Sequence, residues 1–352
     1  MEVRAAHRSE RDEVLDLLAL WYDDREFFVR YNQNDPKFRD DLCLIARDRE
    51  AIVSTVQIFD RTINLDGHRV PMGGIGSVFT REDYRHKGVA SGLMRLAVDT
   101  MVRERFEVSL LFAERLTFYN QFGWREINRK FGIVSGASSL KSPTHFEIDT
   151  FDATRDLAEI IELHRSYSGR FNVAAIRDDR DWSGNLAFAG NQPLHPGEGS
   201  DEYFVLARDT CGIAAYARVT RFHGVTAVME YGYCDGFIDA QIALFRYLGD
   251  AAASKPAAFS IVGDHRRAAL LRVGDTHSGV MLTHTAHDPL LEERLVASGA
   301  SVSHHQDNNY MWRIVAPEAL GSRMNRPPDA AARHAFDLFA HDQSLYWTAD
   351  RF

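Results

Sequence analysis

At 352 residues the chain exceeds one ordinary domain, and its length favours two, with three small ones as the alternative. Hydrophobic residues at 45% and charged residues at 26% exclude a disordered segment or a fibre. The formal charge of −9 argues against general affinity for nucleic acid, which needs a basic face, and favours an amine-bearing partner.

No stretch approaches a membrane span, and the start MEVRAAHRSERDEV is charged where a signal peptide needs an apolar run. The expectation is a cytoplasmic protein without membrane contact. Cys43, Cys211 and Cys234 lack metal-like spacing and leave one unpaired in any disulfide scheme, so they read as reduced and structural.

In chain order, residues 3–6 read as a short strand. Ser9 can cap a helix that carries Val14, Leu17, Leu18 and Trp21 at helical spacing. Residues 42–46 and 51–59 are two strands rich in β-branched and aliphatic side chains. Asp66-Gly67 marks a tight turn into a run over 70–80, whose Gly73, Gly74 and Gly76 point to a bulge or a close approach. From 88 to 104, Val89, Leu93, Met94, Ala97, Met101 and Val102 share one helical face. Residues 108–112 form a fully apolar strand, 114–121 a short helix, and 124–134 a further strand after a stop at Gly123. This order describes an α/β fold with a mixed sheet and helices packed on it.

Residues 135–143 are small and polar and end in Pro143, as a linker would. Beyond it the outline repeats, with a helix at 157–166, strands at 203–207, 213–219 and 226–233, and a helix at 237–253. The expected units are 1–135, 145–315 and a short C-terminal segment, 316–352.

The strongest chemical signal is the strand 76–80 followed by Arg85-x-x-Gly88-x-Ala90 at the start of a helix. Backbone N–H groups at a helix N-terminus attract a pyrophosphate, Gly88 and Ala90 clear the approach, and Arg85 and Lys87 add positive charge. The alternative is a glycine that merely relieves crowding; the strand before it and amphipathic helix after it favour the anion cradle.

This arrangement resembles the GNAT superfamily of N-acetyltransferases over roughly the first 135 residues. The resemblance implies an acetyl-CoA site, with Val78, Phe79 and Thr80 as the edge for the pantetheine arm. It makes His86, Lys87, Gly88, Val89, Ala90 and Ser91 the phosphate cradle beside Arg85, and places Ala113 and Glu114 at the other lip. Tyr119 matches a position that protonates the departing thiolate, its phenol having an ordinary pKa near ~10; the alternative is a core aromatic beside Phe118 and Phe122.

The tandem layout, with no matching cofactor loop in the second unit, is similar to the enhanced intracellular survival (Eis) family. That likeness implies that the chain-terminal carboxylate, here of Phe352, serves as base, and that the protein is a homo-oligomer. One departure stands out, since the family ends in a sterol-carrier-like domain and few residues follow Val315 here. A packing anchor is the alternative role for Phe352.

Trp21, Asp23, Asp24 and Phe27 combine acids and aromatics where such folds bind the acceptor; a solvated helix end is the alternative. Glu230 in an apolar strand reads as structurally paired. His284, His287, His304 and His305 read as surface or core residues, and no metal is assigned. The function expected is acetyl transfer to a primary amine of a small molecule or peptide. Two alternatives are a non-catalytic acyl-CoA sensor or scaffold and a different acyl donor.

Overall fold

The structure, a computed structural model, describes residues 1–22, 25–113, 115–188, 202–222, 225–253, 281–307, 309–347 and 350. The first half begins with strand β1 (Glu2–Ala5), helices α1 (Arg11–Tyr22) and α2 (Arg25–Asn34), and strands β2 (Cys43–Asp48), β3 (Ala51–Leu65) and β4 (His68–Thr80). Helix α3 (Val89–Arg103), strand β5 (Val108–Phe112), helix α4 (Leu116–Asn120) and strand β6 (Arg125–Glu126) follow. At the first helix the expected Ser9 cap is replaced, because the Glu10 carboxylate reaches back to accept the His7 N–H at 2.8 Å. Asp66 and Gly67 both adopt left-handed φ, +54° and +78°, as a tight hairpin between β3 and β4 demands.

The second half holds β7 (Arg129–Ser135), β8 (Glu147–Thr150), α5 (Ala153–Ser168), α6 (Asp179–Phe188), β9 (Glu202–Asp209), β10 (Gly212–Phe222), β11 (Val225–Tyr233) and α7 (Ile238–Ala253). It continues with β12 (Met281–Thr285), α8 (Pro289–Ala297), β13 (Ser301–Asp307), β14 (Tyr310–Ile314), α9 (Pro317–Arg323) and α10 (Pro328–Ala340). Among the described residues no helix is long and apolar enough to cross a membrane.

Two seven-stranded mixed sheets result, in orders β1-β2-β3-β4-β5-β14-β6 and β8-β9-β10-β11-β12-β7-β13. Each has one parallel pair at its centre, β4 with β5 and β11 with β12, so the second half repeats the topology of the first. The repeat is reciprocally interlocked. The expected single strand 124–134 breaks at Ile127, and its larger part, β7, lies between β12 and β13 of the second sheet. In exchange β14, which falls within the expected unit 145–315, lies between β5 and β6 of the first sheet. The physical reason is burial: Trp312 and Met311 of β14 are inaccessible to solvent, and Trp312 stacks on Phe339 of α10 at 4.2 Å. The segment expected as a free linker is packed, since Ala137 and Leu140 are buried in the core of the second sheet.

Helix α3 covers one face of the first sheet and α1 with α2 the other. The α3 face is so close to β4 that a Cβ at Gly73 would come within 2.7 Å of Met101 Sδ, which accounts for a glycine in mid-strand.

Candidate active site

The edge of β4 is bent by a bulge. Thr55 pairs with Phe79 and Gln57 with Gly76, so two β4 residues, Ser77 and Val78, face one β3 residue, with Ser77 at φ +48°. Pairing of β4 with β5 runs only from Met72 with Val108 to Ile75 with Leu111. Beyond Ile75 the strands part, and residues 76–80 have β3 on one side and a fork on the other. The Ser54 hydroxyl, donating to the Phe79 carbonyl at 2.8 Å, holds the far end of β4 to β3.

The chain then passes through a short 3-10 turn, Glu82–Tyr84, to the start of α3. The Tyr84 hydroxyl donates to Asp48 Oδ2 at 2.9 Å and pins this turn to β2. Arg85 Nε donates to the Thr80 carbonyl at 3.2 Å, and its guanidinium lies over the Phe79 ring, joining loop to strand. His86 takes φ +61° and Gly88, the N-cap of α3, φ +79°. No side chain caps the helix, and its first turn holds no acidic residue. Its unmatched N–H groups and positive dipole end are thus left for an external anion, with His86, Lys87 and Gly88 exposed around them. Ala90 and Ser91 are half-buried on the first turn, and Val89 is buried beneath. These residues fit a pyrophosphate: a glycine in the left-handed conformation, open donors, and two cationic side chains.

Four expected site residues share one apolar cluster: Val89 and Ala113 belong to it with Leu93 and Leu111, and Val78 and Tyr119 pack against it. Tyr119 sits on α4, its ring edge-on to Phe118 at 4.9 Å. Glu114 and Phe352 lie outside the described residues, as do Asp23 and Asp24. Trp21 lies in the last turn of α1. Phe27 on α2 is exposed and packs edge-on to Phe188 at 5.6 Å.

The C-terminal tail runs between the two sheets. Tyr346 is buried with the Phe112 ring 6.1 Å away, at the end of β5 beside the fork. Trp347 is buried in the second core, its Nε1 donating to Ser168 Oγ at 3.0 Å. Arg177, itself buried, bonds Asp350 Oδ1 at 2.7 Å and Glu230 Oε2 at 2.5 Å. Glu230 also accepts from the Tyr216 hydroxyl at 3.0 Å and lies 3.4 Å from His164. Burial alone would raise the Glu230 carboxyl, but Arg177, His164 and Arg218 hold it well below its ordinary value. Its reading as a paired residue agrees with this geometry. His287 donates to the Thr285 carbonyl through Nδ1, and burial pushes it down to about 3.

An uncapped, glycine-started helix thus directly follows a bulged strand that forks from its parallel neighbour. Residues 2–127 match the family model of the acetyltransferase (GNAT) domain. No curated protein matches the sequence. A GCN5-related N-acetyltransferase from Kribbella flavida superposes over 92% of this chain and 73% of its own, with TM-score 0.65 and 20% identity. Eis1 from Mycobacterium abscessus covers 92% and 75%, with TM-score 0.58 and 13% identity. The N-myristoyltransferase of Saccharomyces cerevisiae, solved with bound myristoyl-CoA, covers 88% and 79%, with TM-score 0.53 and 12% identity. The chain thus carries the GNAT fold through both sheets, well beyond its first 127 residues.

Sequence reasoning missed the bulge residue Ser77 and the charged groups that the two halves bring together, Arg61, Arg177, Arg218 and Asp350. The glycine run over 73–76 signals the first; nothing local signals the others, whose partners are remote in sequence.

Proposed function

We propose that the chain transfers an acyl group from acyl-CoA, acetyl-CoA in the first instance, to a primary amine by direct attack in a ternary complex. The observation that carries this reading is the fork between β4 and β5 opening beside the uncapped N-terminus of α3. In that reading Arg85, His86, Lys87, Gly88, Val89, Ala90 and Ser91 hold the pyrophosphate, and the 78–80 edge aligns the pantetheine arm and polarises the thioester carbonyl with a backbone N–H.

The amine nitrogen attacks the carbonyl carbon, the C–N bond forms, and the C–S bond breaks. Tyr119 gives the thiolate its proton, and the proton lost by the amine goes to the Phe352 carboxylate, directly or through water. A free α-carboxyl, with pKa near ~3.5, is a weak base unless buried, so water relay is the easier route. Acyl-enzyme formation on Cys43 is disfavoured, because burial pushes that thiol up to about 11. Trp21, Asp23, Asp24 and Phe27 are assigned to the acceptor side.

Free-thiol release from acetyl-CoA, measured over a panel of primary amines, tests the proposal. Amine-dependent release is expected. Saturable acetyl-CoA binding with no release for any amine would replace the enzyme by an acyl-CoA sensor.

A further inference from the structure

Arg177 reaches the junction of the two halves because the segment before it is fastened to the edge of β3. Val173 N–H donates to the Asn64 carbonyl at 2.6 Å and Ile176 N–H to the Thr62 carbonyl at 2.8 Å. Every guanidinium nitrogen of Arg177 is then engaged. Nη1 and Nη2 donate to the two Glu230 oxygens at 3.2 and 2.5 Å, and Nε donates to Asp350 Oδ1 at 2.7 Å. The two-pronged contact with Glu230 fixes the guanidinium plane and so aims Nε at the tail. Trp182 supports that plane, its ring 4.6 Å from the guanidinium carbon. All three charged side chains are buried, Asp350 being 7% exposed.

The tail arrives at this point along a laced path. Arg129 donates to the His341 carbonyl at 3.0 Å and to that of Ser344, and Leu345 N–H donates to the Asn172 carbonyl at 2.8 Å. Asp350 N–H donates to the Trp347 carbonyl at 3.0 Å, and the Tyr346 hydroxyl to the Asp350 carbonyl at 3.0 Å, which closes the tail into a turn. Charge fixes its last point. Arg177 and Arg218 meet a single carboxylate in Glu230, whose Oε2 lies 3.6 Å from Arg218 Nη1. Burial lowers His164, which therefore adds no charge at neutral pH. The neighbouring Arg61 and Lys37 are matched by Asp35 and Asp181 at 2.9 and 2.7 Å. Among the described residues, Asp350 thus supplies the carboxylate that balances the cluster, and its departure would leave one buried cation unmatched. Only Arg351 separates Asp350 from Phe352, so holding Asp350 limits the reach of the Phe352 carboxylate to about 10 Å at ~3.4 Å per residue.

We propose that Arg177, aimed by Glu230, is a latch that holds Asp350 and through it positions the Phe352 carboxylate. The inference rests on reading the chain as an amine acyltransferase with that carboxylate as base. It gives the second sheet a part in the reaction: β11 carries Glu230, β10 carries Arg218 and Tyr216, and together they hold the latch from behind. Arg177 and Glu230 are positioning residues, since they act only through Asp350.

Two readouts on the full chain test it. Carboxypeptidase A removes an aromatic end residue and stalls at arginine, so loss of Phe352 alone, followed by mass spectrometry, reports the undocked fraction of the tail. Amine-dependent thiol release from acetyl-CoA reports turnover. The parent should resist trimming. Asp350→Ala should be trimmed about ten-fold faster or more, with kcat about ten-fold lower or more and the KM for acetyl-CoA unchanged. Arg177→Gln should do the same, and the double variant should be no worse than either single one, because both remove one contact. If Arg177→Gln does not melt cooperatively, Asp350→Ala decides. A parent trimmed as fast as Asp350→Ala, or additive effects of the two substitutions, would overturn the latch. Faster trimming at the parent's kcat would overturn the positioning role and leave a structural staple. A parent that releases no thiol with any amine fails the proposed function and the positioning role with it, while the trimming rates still judge the latch.

Discussion

Gly88 holds φ +79°, a conformation that costs a side-chain-bearing residue roughly 1–2 kcal/mol, and its Cα faces open space where an anion would approach. Gly88→Ala should therefore lower acetyl-CoA affinity about ten-fold and lower Tm by a few degrees, as read by titration and melting. Tyr119→Phe separates an enzyme from a sensor. An acid role predicts a kcat lower by about 10²-fold at unchanged acetyl-CoA affinity; parallel loss of both would make Tyr119 a packing residue. The open start of α3 was legible in the sequence because its groups are contiguous: Arg85, Lys87 and Gly88 sit at one helix start. Arg177 was not, since its partners Glu230 and Asp350 lie 53 and 173 positions away. Phe27 meets Tyr31 one helical turn on within α2, but it meets Phe188 only through packing of α2 against α6, which no local pattern shows.

At the scale of elements, α5, β11 and the start of α8 share a buried polar network. Tyr167 and Tyr233 each donate to Asp288 Oδ2 at 2.7 Å, and His287 lies beside Tyr167. Because burial lowers His287 to about 3, the folded protein keeps it neutral while the unfolded chain protonates it below its ordinary value near ~6.5. The unfolded state then binds the extra proton, so stability is full above ~6.5 and falls by up to about 1.4 kcal/mol per pH unit between there and about 3. His164 and His284, also lowered first by burial, act in the same direction. Denaturant unfolding at pH 7 and pH 5 should show this loss, and His287→Asn should reduce the slope. A slope unchanged by the substitution would remove His287 as its source. On the first sheet, Trp312→Ala should cost about 3–5 kcal/mol, because the ring stacks on Phe339 and fills the space between β14 and α10. A smaller loss in denaturant unfolding would mean that this core can collapse around the gap.

For the whole molecule, strand exchange makes the halves interdependent. The alternation and helical periods of 1–135 revealed the elements of the first unit except α2 and β14; the place of β14 is set by burial of Trp312 and not by any local pattern. The repeat was visible in the second half from its strand and helix lengths, but a run such as 124–134 carries no mark of the break that sends β7 to the other sheet. A fragment ending at residue 135 lacks β14, leaves the apolar side of β5 uncovered, and should neither unfold cooperatively nor bind acetyl-CoA. A cooperative, acetyl-CoA-binding fragment would contradict the interlocked architecture. Residues added after Phe352 test the tail in the same whole-chain setting: a carboxylate base predicts a large loss of turnover, and full activity would make Phe352 a packing residue.

Binding of coenzyme A at the Arg85 loop is central to every functional step above, and calorimetric titration of acetyl-CoA into the parent and into an Arg85→Ala/Gly88→Ala double variant tests it most directly. Saturable one-site binding to the parent, lost or weakened at least about hundred-fold in the folded variant, is the predicted result. Absence of binding to the parent, or equal binding to both, would contradict it.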